Sequence, residues 1–164
     1  MKLFSPRAAP ALLAHSSAAL LLGALAFQHW GGLAPCALCL YQRWPHVIAI
    51  AAGLVGMFLV LQGQARAGGW ATLAAALALV VTAAIGAYHA GVEWQWWQGP
   101  QACSGTGPAA TSASSLREQL LAAPVVRCDD IVWSFLGISM AGWNFLLSGA
   151  LALIGLHGGW KLAR

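Results

Sequence analysis

An apolar stretch in the first half of the chain decides the fold: residues 47–61 read Val47-Ile-Ala-Ile-Ala-Ala-Gly-Leu-Val-Gly-Met-Phe-Leu-Val-Leu61. None of these side chains carries a charge, a hydroxyl or an amide. With the residues before it, the stretch belongs to an apolar segment over about 41–61. At about 1.5 Å per residue such a segment can cross a hydrocarbon core of about 30 Å. Because lipid offers no partner for free backbone groups, a transmembrane helix is the expected form.

Three further apolar segments, over about 11–30, 70–89 and 132–156, have similar length. Hydrophobic residues make up 60% of the 164 residues and charged residues only 7%, against roughly 25% charged in soluble domains. So much apolar surface cannot be buried inside a soluble protein of this size. The sequence therefore predicts an all-α membrane protein, a four-helix transmembrane bundle that forms a single integral membrane domain over 1–164.

The charges predict how the helices are oriented. Basic residues without acidic neighbours precede the first segment, lie between the second and third, and follow the fourth: Lys2, Arg7, Arg66, Lys161 and Arg164. All acidic residues follow the third segment: Glu93, Glu118, Asp129 and Asp130. By the positive-inside rule both termini are cytoplasmic, and the loops at about 31–40 and 90–131 face the periplasm. The basic residues are too few and too scattered for a nucleic-acid surface, so no nucleic-acid partner is expected.

The N-terminal segment has a second interpretation as a secretory signal. Lys2 and Arg7, an apolar run and the small residues Ala24-Leu25-Ala26 fit that pattern. However, His15-Ser16-Ser17 interrupts the run, and its apolar character continues to Trp30. We expect a retained helix, whereas loss of residues 1–26 would leave three helices.

The second periplasmic loop has two parts. Residues 104–115 have the composition of a flexible linker, rich in Gly, Ser, Thr, Ala and Pro. The following Ser114-Ser-Leu-Arg-Glu-Gln-Leu-Leu121 predicts a short amphipathic helix with a serine cap, and its leucines share one face. That face rests on the membrane surface in one interpretation and closes the loop in the other.

Four cysteines, Cys36, Cys39, Cys103 and Cys128, all lie in the predicted periplasmic loops. Four cysteines allow three pairings, and the Cys-x-x-Cys spacing makes Cys36–Cys39 with Cys103–Cys128 the simplest. We expect redox function for both pairs, the second as a labile disulfide in a solvent-facing loop. A structural staple is the alternative for that second pair. A zinc site is disfavoured because the second cysteine pair does not have a matching Cys-x-x-Cys spacing, so no metal is predicted.

Cys39 lies at the start of the second helix, whose N-terminal partial positive charge favours a thiolate. Arg43, four residues later, lies one turn below on the same face. We expect this cation to stabilise negative charge on sulfur or on an electron acceptor in the membrane. Its alternative role is an interfacial anchor that snorkels to the headgroups.

The segment Pro35-Cys-Ala-Leu-Cys-Leu-Tyr-Gln-Arg43, a second cysteine pair in the next outer loop and Trp133-Ser-Phe-Leu-Gly-Ile-Ser-Met140 resemble the disulfide bond formation protein B family. The resemblance spans nearly the whole chain, and the Cys-x-x-Cys followed by Tyr-x-Arg is its most specific part. It implies a four-helix bundle in the bacterial inner membrane that reoxidises a periplasmic DsbA-like thiol oxidase. It also implies that two electrons pass to ubiquinone or menaquinone in the membrane lipid.

The resemblance implies a role for each cysteine as well. The partner's thiolate would attack Cys103, and Cys128 would then attack the Cys36–Cys39 bond at Cys36. Cys39, released as a thiolate, would reduce the quinone with Arg43 near the quinone oxygen. The Gly/Ser/Ala-rich insert after Cys103 departs from the family pattern.

Two other polar groups lie within or beside the helices. His89 and Glu93, spaced i, i+4, are candidates for lining the quinone site or relaying protons, with interfacial hydrogen bonding as the alternative. His46 is one turn from Arg43, and its position fits a role at the site and a role in packing equally well. Asn144 is expected to join helices through hydrogen bonds.

Two other functions remain open from sequence. A vitamin K epoxide reductase-like protein also carries Cys-x-x-Cys in a four-helix bundle, although normally late in the bundle. A structural or transport subunit would have stapled loops and no turnover.

Overall fold

The computed structural model describes residues 5–100, 103, 112–114, 117 and 126–164. Within these residues the helices are α1 (Ala9–His29), α2 (Ala37–Leu61), α3 (Ala65–Glu93) and α4 (Met140–Ala163), with a 3-10 turn at Pro6–Ala8. Four helical spans are long and apolar enough to cross a membrane. The prediction of a four-helix membrane protein is confirmed. The leucine face predicted for the short amphipathic helix lies outside the described residues.

The fourth helix begins at Met140, later than the position expected from hydropathy, and continues to Ala163. A small antiparallel hairpin precedes it, with strands β1 (Ser134–Phe135) and β2 (Ile138–Ser139). The turn residues Leu136 and Gly137 have φ values of 52° and 76°, the left-handed geometry of tight hairpin turns. Two consecutive residues of this kind cannot belong to a right-handed helix, and an average of hydropathy does not register them.

The late start of α4 places Trp143 near a helix end. Trp143 would lie well inside a helix that began near residue 132, whereas it lies in the first turn of α4. Its Nε1 donates a hydrogen bond to the Phe135 carbonyl of the hairpin at 3.1 Å. Trp143 is therefore near a helix end, where an indole ring has an apolar body and a hydrogen-bonded edge.

Small residues hold the helices together. A core of Leu13, Ala75, Ala76, Leu79 and Ala152 joins α1, α3 and α4. Since lipid is as apolar as these side chains, close packing rather than water exclusion drives their association, and small residues permit the closest approach. Many large apolar side chains instead lie on the outer surface of the helices, as expected for side chains in contact with lipid.

The two ends of the bundle differ in chemistry. At one end Ala9 approaches Gly158, and Gly69 approaches Ala163. The basic residues of the described part of the chain that lie at this end are Arg7, Arg66, Lys161 and Arg164. At the other end Cys36 approaches His89, and Glu93 bonds to Ser139. The basic end and the cysteine end are therefore opposite ends of the four helices.

The contact between α3 and α4 gives a test of this packing. A Cβ atom at Gly69 would lie 2.5 Å from the Ala163 nitrogen and 2.8 Å from the Gly159 oxygen, both backbone atoms. We expect Gly69→Ala to destabilise the protein by about 1–3 kcal/mol, the usual range for overpacking. Gly149→Ala is the matched control, because a Cβ there meets nothing within 4 Å. Thermal unfolding in detergent would measure both, and equal melting temperatures would contradict the packing described.

Candidate active site

Both cysteine pairs lie in one buried cluster at the end of the bundle. Cys36 Sγ donates a hydrogen bond to Cys39 Sγ at 2.9 Å, and Cys103 and Cys128 form a disulfide. Cys36, Cys103 and Cys128 share a packed cluster with Leu38 and Val92, and Cys39 packs against it. Two residue pairs that are far apart in sequence are thus adjacent in space.

The Cys103–Cys128 disulfide is buried, with 1% and 0% of the two residues exposed. The sequence led us to expect a solvent-facing disulfide, and the structure differs. The reason is tertiary: Leu38 in the first turn of α2 and Val92 in the last turn of α3 cover the sulfurs. The Cys128 backbone N–H also donates to the Cys103 carbonyl at 3.1 Å, which keeps the two segments together.

The first turn of α2 organises the Cys-x-x-Cys pair. Cys36 is the N-cap of the helix, and its sulfur accepts a hydrogen bond from the Cys39 backbone N–H at 3.3 Å. The hydrogen bond between the two sulfurs, together with burial, raises the pKa of the Cys36 thiol well above its ordinary value. The same contacts therefore favour the protonated form of Cys36, and Cys39 lies near the positive end of the helix dipole.

The structure brings His89 and Glu93 to the same place. His89 Nε2 is 3.6 Å from Cys36 Sγ and 3.8 Å from Glu93 Oε1, while Glu93 is hydrogen-bonded to Ser139 at the start of α4. Metal-ligand atoms of Cys36, Cys39 and His89 lie within 4.8 Å of one another. Structural zinc sites use four ligands, and this set offers three. Cys36 and Cys39 have the Cys-x-x-Cys spacing of redox-active pairs, so the set favours disulfide chemistry.

A chain of polar side chains continues from His89 into the membrane-spanning part. Gln42 Nε2 is 2.9 Å from His89 Nδ1, Gln42 Oε1 accepts from Asn144 Nδ2 at 2.6 Å, and Asn144 Oδ1 is 2.9 Å from His46 Nε2. Asn144 thus joins α4 to α2, as expected, and it also bonds to Thr82 of α3. Sequence reasoning missed Gln42, although an amide inside a membrane helix next to the cysteine motif is a signal for it.

Arg43 reaches across to the first helix. Its Nη1 donates a hydrogen bond to Gln28 Oε1 of α1 at 2.6 Å, and the side chain is half-buried. Arg43 and Cys39 line the same cavity, in agreement with their i, i+4 spacing. The pairing with Gln28 could not be read from the sequence, because nothing local specifies which residue of α1 faces α2.

A cavity of about 450 Å³ lies between the four helices below the cysteines. Part of its wall is aromatic: the ring centroids of Phe27 and Trp133 are 5.0 Å apart, and those of Phe135 and Trp143 are 6.3 Å apart. Polar and charged residues also line it: Cys36, Cys39, Gln42, Arg43, His46, His89, Glu93, Arg127, Asp130 and Asn144. An apolar space with converging polar groups is typical of a small-molecule site.

The sequence matches the family described as "Disulfide bond formation protein DsbB" over residues 6–158. Similar proteins named "Disulfide bond formation protein B" occur in several bacteria. The one from Polaromonas sp. strain JS666 is 33% identical over 97% of this chain and 94% of its own length. Those from Verminephrobacter eiseniae and Stutzerimonas stutzeri are 35% and 32% identical, over 93% and 100% of this chain and 83% and 99% of their own lengths.

The matched region contains all four cysteines, the first three membrane-spanning helices and most of the fourth. The resemblance inferred from the motifs is therefore confirmed. The chain is a multi-pass membrane disulfide oxidoreductase that belongs to the DsbB family of disulfide bond formation proteins.

Proposed function

We propose that this protein is a quinone-dependent thiol oxidase that reoxidises a periplasmic DsbA-type dithiol and passes the electrons to membrane ubiquinone or menaquinone. One observation carries the proposal. The Cys36–Cys39 pair touches both a second cysteine pair and an apolar cavity within the membrane-spanning helices. A sulfur relay needs both contacts, because electrons must arrive from another disulfide and leave to an acceptor dissolved in lipid.

Electrons enter through the second pair. Docking of the partner must first uncover the buried Cys103 sulfur. The thiolate of the partner then attacks Cys103, which forms a mixed disulfide and releases Cys128 as a thiolate. Cys128 then attacks the oxidised Cys36–Cys39 bond at Cys36, and Cys39 leaves as a thiolate. The shared cluster supports this order, since disulfide exchange requires direct contact between sulfurs.

The second thiol of the partner then displaces Cys103, and the partner leaves oxidised. The Cys103 thiolate attacks Cys128, which re-forms the Cys103–Cys128 disulfide and frees Cys36. Each step breaks one S–S bond and forms one, and the two electrons of the partner end on Cys36 and Cys39.

The cavity residues suit a quinone ring. The ring, when bound, supplies a two-electron acceptor that takes up two protons. Cys39 is the half-buried sulfur at the cavity wall, and the N-terminus of α2 supports its negative charge. Arg43 on the same face offers a guanidinium to a quinone oxygen. Its bond to Gln28 holds that guanidinium in place.

His89 and Glu93 have a supporting role at the wall of the cavity. The imidazole lies between Cys36 Sγ and the Glu93 carboxylate. We assign them to moving protons between the sulfurs and the ring site, because reduction of a quinone consumes protons that lipid cannot supply.

The direction of electron flow requires an acceptor of high potential. DsbA-type disulfides are strong oxidants, at about −120 mV, and each ~30 mV uphill costs about 1.4 kcal/mol for two electrons. The quinone supplies that driving force. For the partner to reach Cys103, the cysteine end must face the periplasm of the bacterial inner membrane, with both termini in the cytoplasm. The basic residues at the opposite end support this orientation.

Cys39→Ser tests the relay. We expect quinol formation from reduced DsbA-type partner and ubiquinone to stop, because the variant has no second sulfur to complete the disulfide. Quinone absorbance measures this directly. The control is membrane insertion with an intact Cys103–Cys128 disulfide. Unchanged partner oxidation would contradict the proposed order.

Arg43→Ala tests the proposed quinone contact. A hydrogen bond from a charged group contributes about 1.5–3 kcal/mol, so we expect the KM for ubiquinone to rise about tenfold or more. Arg66→Ala removes the same guanidinium at the opposite end of the bundle and should leave that KM within about twofold. An equal change in the KM for ubiquinone in the two variants would contradict a contact between Arg43 and the quinone.

Thiol labelling tests the orientation. In intact cells, an impermeant maleimide should label a Gln98→Cys variant from outside, because this position is exposed at the cysteine end of the bundle; the variant is made on a background without the native cysteines. A Gln64→Cys variant on a background without the native cysteines places a thiol at the α2–α3 turn, where it should react only after the membrane is permeabilised. Labelling of that thiol in intact cells would show that the α2–α3 turn faces the periplasm, which is the opposite orientation, and would exclude a periplasmic partner.

A further inference from the structure

His46 has a ring nitrogen that its surroundings leave without a partner. The residue is 4% exposed, and its Nε2 pairs with Asn144 Oδ1 at 2.9 Å. Its Nδ1 is buried, and among the described residues no group hydrogen-bonds to it. A buried polar atom that makes no hydrogen bond destabilises the structure. The ring lines the cavity, and a small shift of the lining around a bound molecule would bring Nδ1, which the cavity does not reach in this structure, within hydrogen-bond distance of it.

The hydrogen bonds around Asn144 determine which ring nitrogen of His46 carries the proton. Asn144 Nδ2 lies 3.3 Å from the Thr82 carbonyl oxygen, which can only accept. The amide NH₂ therefore points to Thr82, and Asn144 Oδ1 points to His46. Since Oδ1 accepts, His46 Nε2 must donate, and Nδ1 of the neutral ring is an acceptor.

The position of His46 relates it to the proposed redox groups. Cys39, Arg43 and His46 follow one another at i, i+4 and i+7, the spacing of one helix face, and all three line the cavity. The rise from Arg43 to His46 is about 4.5 Å. The two oxygens of a quinone lie at opposite ends of its ring, so a ring whose first oxygen is at Arg43 can direct its second towards His46.

We propose that His46 Nδ1 accepts a hydrogen bond from a hydroxyl of the reduced, hydroquinone form of the ring. This inference rests on the proposed function, in which the cavity holds a quinone. A carbonyl oxygen of the oxidised form offers no proton to a bare Nδ1, whereas a hydroxyl does. His46 therefore distinguishes the two redox forms, and the site binds the product of electron transfer more tightly than the quinone.

Such a preference changes the driving force of the reaction. The dithiol of Cys36 and Cys39 is oxidised to a disulfide while the quinone gains two electrons and two protons. If the site binds the hydroquinone tenfold more tightly, the potential of the bound couple rises by about 30 mV for two electrons. His46 would act as a specificity-determining residue that favours electron transfer away from sulfur.

The test compares the affinities for short-chain ubiquinone and its ubiquinol by quenching of tryptophan fluorescence, since Trp133 and Trp143 line the cavity. All proteins carry Cys39→Ser, so that bound ligand cannot exchange electrons with the cysteine pair. We expect about tenfold tighter binding of ubiquinol than of ubiquinone, and we expect His46→Leu to bring the ratio of the two affinities close to one. His46→Gln offers both an amide donor and an oxygen acceptor, and should restore part of the preference.

His157→Leu is the matched control, because this histidine of α4 is exposed and does not line the cavity; it should keep the full preference. If the parent protein binds both forms and His46→Leu leaves their affinity ratio unchanged, the inference fails while the proposed function stands. If the parent binds neither ubiquinone nor ubiquinol, nor the corresponding menaquinone pair, the proposed function fails and the inference with it. The helical circular dichroism of each variant shows whether it is folded.

Discussion

The hydrocarbon interior of a membrane offers no water to a polar side chain, and the polar groups of α2, α3 and α4 satisfy one another under that constraint. Gln42 and Asn144 are the centre of the arrangement, with His89 at one end and His46 at the other. Each amide uses its oxygen and its nitrogen for different partners, so the helices can pack in one register only. That register sets the shape of the cavity and the distance from His89 to the Cys36 sulfur.

The same chain of hydrogen bonds joins two kinds of chemistry. Towards the end of the bundle it reaches the cysteine cluster, where the disulfide Cys103–Cys128 and the pair Cys36 and Cys39 pack together. Towards the middle of the membrane it reaches a cavity lined by aromatic rings and aliphatic side chains. Membership of the DsbB family assigns the cysteine cluster to disulfide bond formation. In the proposed function, the cavity connects that sulfur chemistry with an acceptor in lipid.

Positive charge lies where the cysteine cluster meets the cavity. The N-terminus of α2 brings its partial positive charge to Cys39, and Arg43 follows one turn deeper. The hydrogen bond to Cys39 and burial raise the pKa of the Cys36 thiol. Arg43 and Cys39 both line the cavity, so the guanidinium and this sulfur lie beside the same space. The protein favours negative charge on the sulfur that is proposed to donate electrons and disfavours it on the sulfur that is proposed to be attacked.

The sequence by itself determined the number of helices, the family and the list of candidate residues. Runs of about 20 apolar residues permit only one backbone form in lipid, and the Cys-x-x-Cys motif with Arg43 is local in sequence. Tertiary structure decided where α4 begins, because the left-handed turn at Leu136 and Gly137 leaves no trace in hydropathy. It also decided that the Cys103–Cys128 disulfide is buried and that Gln42 belongs to the site. Burial and hydrogen-bond partners depend on which residues of distant helices meet, and a single sequence does not record those contacts.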